Sequence, residues 1–105
     1  MVVDCFAAAE LQPRVVAEID GLAILMEAVR AGLGTTIQPG AALSRIDGSQ
    51  FESIQLSDEK ATRPVLLLSL ADDELSPAGL GARVVLSDVI RRLAADGLWP
   101  GATLR

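Results

Sequence analysis

The sequence contains no histidine, a single cysteine (Cys5) and few aromatic residues, which make up 3% of its 105 residues. Without histidine there is no imidazole base and no Ser-His or Cys-His nucleophile pair. One cysteine cannot complete a zinc site or form an internal disulfide. These absences exclude most hydrolase chemistry and an ordinary zinc site, and we expect no metal and no cofactor.

Basic residues are also scarce, since 9 Lys and Arg stand against 14 Asp and Glu, for a net charge of −5. They are scattered along the chain, so they form no patch that would attract a polyphosphate, and we expect no nucleic-acid binding by this chain alone. No uncharged apolar run approaches the length of about 18 residues that a membrane span needs, and no basic segment precedes an apolar one. The expected location is therefore the cytoplasm, with no membrane partner.

What the chain does have is apolar content, at 50% of residues, which is too much for a disordered tail. We predict a packed globular domain. At this length the chain is one domain or a part of one.

The first half of the chain predicts a helix, a strand, a second helix and a second strand. Small apolar residues at 2–9 indicate a short helix, and β-branched residues indicate strands at 14–19 and 35–38. Between the strands, apolar residues at helical spacing predict a helix at about 21–31. The predicted caps of this helix are Asp20 at its start and Gly32 after its end. Two strands joined by one helix favour a parallel, right-handed crossover, which places the chain in the α/β class.

The second half predicts one helical turn at 40–43, a turn at 47–49, and a half-buried strand at 51–56. The apolar run at 65–71 is typical of a strand that is buried on both faces and central in a sheet. A long helix then extends to about Asp96, with Ser76 as its N-cap and Pro77 at its first position.

Five stretches occur in a recognisable order: Glu18-Ile19-Asp20 with Leu25, the run from Ala28 to Pro39, Arg63-Pro64, Leu75-Ser76-Pro77-Ala78, and Gly97-Leu98-Trp99-Pro100-Gly101-Ala102. Together they resemble the effector-binding domain of LysR-type transcriptional regulators, over residue 6 to the end of the chain. The last stretch resembles the tail of the nitrogen-assimilation branch of that family.

The resemblance implies a lobe, containing a βαβ unit, of a periplasmic-binding-protein-like (type 2) α/β fold, truncated and with a long C-terminal helix. In such a domain two lobes enclose a cleft for a small-molecule effector. Residues 6–62 would form the second lobe, and residues 63–105 would form the crossing strand and the C-terminal helix. The DNA-binding helix-turn-helix and most of the first lobe have no counterpart here, so 1–105 is expected to be a single partial domain.

Candidate effector-binding residues lie at Asp20, Gly21 and Leu22, where the resemblance places the helix start at the cleft. Free backbone N–H groups and the helix dipole would suit an anionic effector such as a carboxylate. The alternative is that Asp20 only caps its own helix. Gln38 is a further candidate because ligands bind at the carboxyl ends of parallel strands, although a hydrogen bond to a loop is as good an explanation.

Other motifs have simpler explanations. The glycines of Gly32-Leu33-Gly34 follow a helix and do not precede one, so they form a C-cap and turn rather than a phosphate-binding loop. Acidic residues at 72–74 are explained by the dipole of the next helix better than by a metal.

Self-association is expected, because the apolar faces of the 65–71 strand and the long helix would otherwise be exposed. We predict a homodimer or higher homo-oligomer. The resemblance adds candidate interface residues on the second helix: Met26, Glu27, Val29 and Arg30.

The leading hypothesis is a non-enzymatic effector-sensing part of a regulator. Three alternatives remain open: a fragment of a solute-binding protein, a small oligomeric α/β domain without a ligand, and a small enzyme that uses the carboxylates of Glu18 and Asp20.

Overall fold

The computed structural model describes residues 2–105 and contains three α-helices: α1 (Val2–Ala8), α2 (Leu22–Arg30) and α3 (Pro77–Ala95). Two short 3₁₀ turns lie at Gly40–Leu43 and Gly48–Gln50. The chain divides into two compact units, one up to Arg63 and one from Pro64 to Arg105. All three helices and both turns coincide with predicted elements, although α1 and α2 are slightly shorter than predicted.

The end of α2 is a Schellman motif, in which the two residues after the helix bond back to its last turn. The N–H of Gly32 donates to the carbonyl of Val29 at 2.9 Å, and that of Leu33 donates to Ala28 at 3.0 Å. Gly32 has a φ of +85°, which L-residues rarely adopt. The prediction of Gly32 as the residue that ends this helix is confirmed.

The same motif ends α3. The N–H of Gly97 donates to Ala94 at 3.3 Å, and the N–H of Leu98 donates to Leu93 at 2.9 Å, with a φ of +69° at Gly97. At its other end, the Oγ of Ser76 accepts from the N–H of Gly79 at 3.1 Å, and Pro77 occupies the first turn. Both predicted ends of α3 are therefore confirmed.

A Schellman motif also ends α1, but without glycine. The N–H of Glu10 donates to Ala7 at 3.0 Å and that of Leu11 donates to Phe6 at 2.9 Å, while Glu10 itself has a φ of +56°. A residue with a Cβ is strained in this left-handed conformation.

The prediction of Asp20 as the N-cap of α2 is wrong. The N-cap is Gly21, whose extended backbone (φ −89°, ψ 125°) precedes the first helical residue and whose carbonyl accepts from the N–H of Leu25 at 2.9 Å. The helix thus begins one residue later than predicted. From its position before the N-cap, Asp20 makes no capping hydrogen bond, and no side chain caps α2.

The four predicted strands, at 14–19, 35–38, 51–56 and 65–71, are not formed, and residues 2–105 contain no strand. The α/β class and its parallel crossover are therefore not confirmed. A strand needs a second segment to accept and donate its hydrogen bonds, so β-branched composition alone cannot form one. The 65–71 segment, predicted to be central and buried, is exposed instead.

The buried part of the chain is small and lies in the first unit, where Met26 of α2 is only 6% exposed and Ala42 of the first 3₁₀ turn is also buried. Close packing occurs at Gly34 as well, where an added Cβ would lie 3.2 Å from the Cγ2 of Val16. A larger residue at Gly34 would therefore require the exposed side chain of Val16 to move by a few tenths of an ångström.

Candidate functional site

The start of α2 holds three of the four predicted effector-binding residues. Asp20, Gly21 and Leu22 are all exposed. Because Gly21 provides no side-chain acceptor, the first-turn N–H groups of α2 have no side-chain cap and carry the partial positive charge of the helix dipole. This arrangement can accept an anion, and the carboxylate of Asp20 does not occupy it.

The fourth predicted residue, Gln38, is exposed, and its side chain is already engaged locally. Its Nε2 donates to the Oγ1 of Thr36 at 3.1 Å. The hydrogen bonds found among residues 2–105 do not join Gln38 to the start of α2. A role in binding would therefore require the amide to leave Thr36 or to use its remaining donor and acceptor.

The predicted interface residues of α2 differ from one another in exposure. Met26 is buried and Val29 is half-buried. Glu27 and Arg30 are exposed and bond to each other, with the Nε and Nη2 of Arg30 lying 3.0 and 2.7 Å from one oxygen of Glu27. These hydrogen bonds and the opposite charges lower the pKa of Glu27 and raise that of Arg30. The assignment of the four residues to an oligomer interface stays a prediction.

Arg83, on α3, is a residue that the sequence reasoning missed. Its Nη2 lies 2.6 Å from the Oδ1 of Asp72, and its Nη1 donates to the Oγ of Ser69 at 3.3 Å. Neither partner lies in α3, so the periodicity of the helix could not have indicated the contact. A second ion pair of α3 joins Asp88 and Arg92, four residues apart, at 2.9 Å.

Three arginines of α3 border an open depression of about 490 Å³. Arg83 and Arg92 are paired with acids, whereas no partner is found for Arg91 among residues 2–105. The depression is open and contains none of the predicted effector-binding residues.

The acidic turn at 72–74 has structural roles that explain two of its three carboxylates. Asp72 pairs with Arg83, and the Oε2 of Glu74 accepts from the N–H of Ala71 at 3.4 Å. Within residues 2–105, no three His, Cys, Asp or Glu side chains converge as metal ligands would.

No helix within residues 2–105 has the length and hydropathy that crossing a bilayer requires.

A protein-family model matches most of the chain. The family model described as the LysR substrate binding domain matches residues 1–97, a range that contains α2 and α3. The chain belongs to the LysR substrate-binding-domain family. No curated protein and no solved structure matches it. The resemblance identified from the sequence motifs is thereby confirmed at the level of the family, while the nitrogen-assimilation branch stays a prediction.

Membership of the LysR substrate-binding-domain family connects the chain to transcription regulation. Domains of this family sense small-molecule effectors in regulators, and those regulators oligomerise; they are not enzymes. Membership also implies the periplasmic-binding-protein-like fold, whereas residues 2–105 contain three α-helices, two 3₁₀ turns and no strand.

Proposed function

We propose that this chain is the effector-sensing part of a LysR-type transcriptional regulator and that its effector is a small anion, most simply a carboxylate. The observation that carries the proposal is the family match over residues 1–97. Effector binding in a cleft between lobes would favour one of two lobe arrangements and so change how the regulator presents its DNA-binding parts. The size of that shift is set by the difference in affinity of the effector for the two arrangements.

The start of α2 supports the choice of an anion. Gly21 leaves the first-turn N–H groups of α2 without a side-chain acceptor, and the helix dipole favours negative charge there. Asp20 stands just before these groups, so an incoming carboxylate would also experience its repulsion. Gln38 would add an amide from the segment that follows α2.

A titration of the ¹⁵N-labelled chain tests this proposal. The probes are acetate, succinate and citrate, each compared with its uncharged amide at constant ionic strength. We expect at least one carboxylate to shift the amide signals of Gly21, Leu22 and Ala23 in a saturable manner, with no such shift from the amide. If all three carboxylates leave these signals unchanged, the anion site at α2 is wrong.

Two variants at Leu22 separate a backbone donor from a side-chain contact. L22P removes one N–H at the first helical position, where proline is tolerated, and the extended backbone of Gly21 suits the residue before a proline. L22A removes the side chain but keeps the N–H. We expect L22P to weaken carboxylate binding about tenfold, the value of one charge-assisted hydrogen bond, and L22A to retain most of it.

A further inference from the structure

The sequence contains three Asp-Gly dipeptides, at 20–21, 47–48 and 96–97, and it contains no asparagine. Asp-Gly is the aspartyl dipeptide most prone to rearrange, because a following residue without a Cβ leaves its backbone nitrogen accessible to the aspartyl side chain. The product is isoaspartate, in which the main chain runs through the side-chain carbons. Isoaspartate also forms from asparagine, so the absence of asparagine makes aspartate its only source in this chain.

The rearrangement has two steps and needs only water. In the first step the glycine nitrogen attacks the Cγ of the neutral aspartyl carboxyl group. The N–Cγ bond forms, and the proton of the nitrogen leaves with the hydroxyl of the carboxyl group as one molecule of water. In the second step water opens the succinimide ring. Cleavage between the nitrogen and the main-chain carbonyl carbon gives isoaspartate, whereas cleavage of the N–Cγ bond restores aspartate.

This chemistry requires a carboxyl group that can become neutral and a glycine nitrogen that is free to attack it. A hydrogen bond to the carboxylate stabilises the charged, unreactive form. A hydrogen bond from the glycine N–H holds the nitrogen in place until that bond opens. All three aspartates are exposed, so access of water does not distinguish them and the hydrogen bonds decide.

At the second dipeptide the carboxylate is held and the nitrogen is free. The Oδ1 of Asp47 accepts from the hydroxyl of Ser49 at 2.6 Å and from the N–H of Ser49 at 3.0 Å, which lowers the pKa of Asp47. The N–H of Gly48 donates to no backbone group of residues 2–105. Asp47 is therefore protected through its side chain.

At the third dipeptide the nitrogen is held and the carboxylate is free. The N–H of Gly97 donates to the carbonyl of Ala94 at 3.3 Å within the Schellman motif that ends α3. No hydrogen bond or ion pair engages the carboxylate of Asp96 among residues 2–105. Asp96 is therefore protected through the backbone.

At the first dipeptide neither group is held. The carboxylate of Asp20 makes no hydrogen bond or ion pair among residues 2–105, and the N–H of Gly21 has no acceptor there. We propose that Asp20 is a site of spontaneous covalent modification, at which the folded chain converts aspartate to isoaspartate through a succinimide with Gly21, in preference to the other two Asp-Gly dipeptides.

The modification alters the main chain at the start of α2. Isoaspartate inserts one carbon into the main chain directly before Gly21, whose carbonyl accepts from the N–H of Leu25 at 2.9 Å. The inserted carbon displaces that carbonyl and disturbs the first turn of α2. A loss of carboxylate binding as the chain ages follows only if the proposed anion site at α2 is correct, whereas the isomerisation itself does not depend on an effector.

Two of the dipeptides form a matched pair, because Asp20-Gly21-Leu22 and Asp96-Gly97-Leu98 have the same sequence. The folded chain is incubated in H₂¹⁸O near neutral pH, digested, and analysed by mass spectrometry with electron-transfer fragmentation, which distinguishes isoaspartate from aspartate. We expect at least about fivefold more isoaspartate at residue 20 than at residue 96, because one hydrogen bond must first open there. Uptake of ¹⁸O identifies the succinimide route.

The same incubation in urea is the control for local sequence. Unfolding removes the hydrogen bonds that protect Asp47 and Asp96, so all three dipeptides should then react at similar rates. In the folded chain we expect about tenfold more isoaspartate at residue 20 than at residue 47, because the hydrogen bonds to Asp47 involve a charged group.

Three variants test the two requirements separately. S49A removes one of the donors to Asp47 and should increase isoaspartate at residue 47 while leaving residue 20 unchanged. G21A should suppress isoaspartate at residue 20. Its Cβ would lie 3.8 Å from the Cδ1 of Ile24, an ordinary contact, so the fold accommodates it. G48A, the same change where no atom lies within 4 Å of the added Cβ, is its matched control and should not affect residue 20.

The proposal is overturned if residue 47 or residue 96 accumulates isoaspartate as fast as residue 20 in the folded chain, if the preference for residue 20 persists in urea, or if no ¹⁸O enters at residue 20. The acetate, succinate and citrate titration of fresh and aged samples separates this proposal from the anion site. If isoaspartate forms at residue 20 while carboxylate binding is the same in both samples, the isomerisation is supported and the anion site at α2 is contradicted.

Discussion

Arg83 and Asp72 form an ion pair that joins helix α3 to the turn that precedes it, with 2.6 Å between Nη2 and Oδ1. The same guanidinium donates to the hydroxyl of Ser69, so one side chain of α3 contacts both the acidic turn and the segment before it. The Arg83 side chain is 29% exposed and that of Asp72 is 79% exposed. Solvent therefore screens the pair, and its main effect is to position the 65–70 segment against α3 rather than to stabilise the fold.

A double-mutant cycle measures this pair. We expect R83M, D72N and the double variant to give a coupling free energy of about 0.5 kcal/mol from urea denaturation, as is usual for exposed ion pairs. The coupling should decrease in 1 M salt because ions screen it. The cycle formed by R92M and D88N, a fully surface pair within α3, is the control. A coupling of several kcal/mol for Arg83 and Asp72 would contradict a screened pair.

Replacement of Glu10 by glycine should increase the stability of the chain. Its φ of +56° is strained for a residue with a Cβ, so E10G should raise the free energy of unfolding by about 0.5 kcal/mol after the entropic cost of glycine is deducted. E10A is the control, because it removes the charge but keeps the Cβ. If E10A stabilises the chain as much as E10G does, the charge and not the backbone is responsible.

Replacement by alanine should have opposite effects on stability at two glycines of the second unit. Gly81 lies within α3 with no atom near its missing Cβ, so G81A should stabilise the chain by about 1 kcal/mol through helix propensity. Gly97 has equally free space but a φ of +69°, and G97A should destabilise by about 1 kcal/mol. Thermal denaturation of both variants is the measurement, and a shift of the same sign in both would disagree with the helix end described here.

The stability of the second 3₁₀ turn should depend on pH through the carboxyl group of Asp47. Its Oδ1 accepts from the hydroxyl of Ser49 at 2.6 Å and from the N–H of Ser49 at 3.0 Å, and these hydrogen bonds lower the pKa of Asp47. The pKa of Asp47 in the folded chain lies below its value of about 3.9 in the unfolded chain. The stabilisation that these hydrogen bonds give the folded state is therefore complete when the pH is above the unfolded pKa, and it is lost as the pH falls through the folded pKa.

Carbon-detected NMR titration of the carboxyl group tests this dependence. S49A should raise the pKa of Asp47 part of the way to its ordinary value, because the backbone N–H still donates. S53A, at an exposed serine nearby, should not change it. An unchanged pKa in S49A would show that the hydroxyl does not hold the charged form.

Helices and their ends were predictable because their hydrogen bonds join residues close in sequence. Ser76 with Pro77 and the glycines at 32 and 97 are residue types whose backbone preferences determine where a helix starts or stops. The same reasoning failed by one residue at α2, where Gly21 rather than Asp20 is the N-cap. Both residues are acceptable there, and local preference does not distinguish them.

The candidate effector site could be predicted only in part from the sequence. The exposed start of α2 follows from the apolar spacing of that helix, whereas the engagement of Gln38 by Thr36 and the burial of Met26 depend on how the surrounding segments pack. Arg83 was missed because its partners are 11 and 14 residues away, in a turn and in an extended segment.

The sequence by itself determined the family, the three helices and the residues that end them, since motifs and local hydrogen bonds are read along the chain. Tertiary structure alone decided the fate of the four β-prone segments. A helix satisfies its own backbone groups, but a strand satisfies them only on a neighbour. Within residues 2–105 no neighbour pairs with 65–71, and that segment therefore carries a strand sequence without forming a strand.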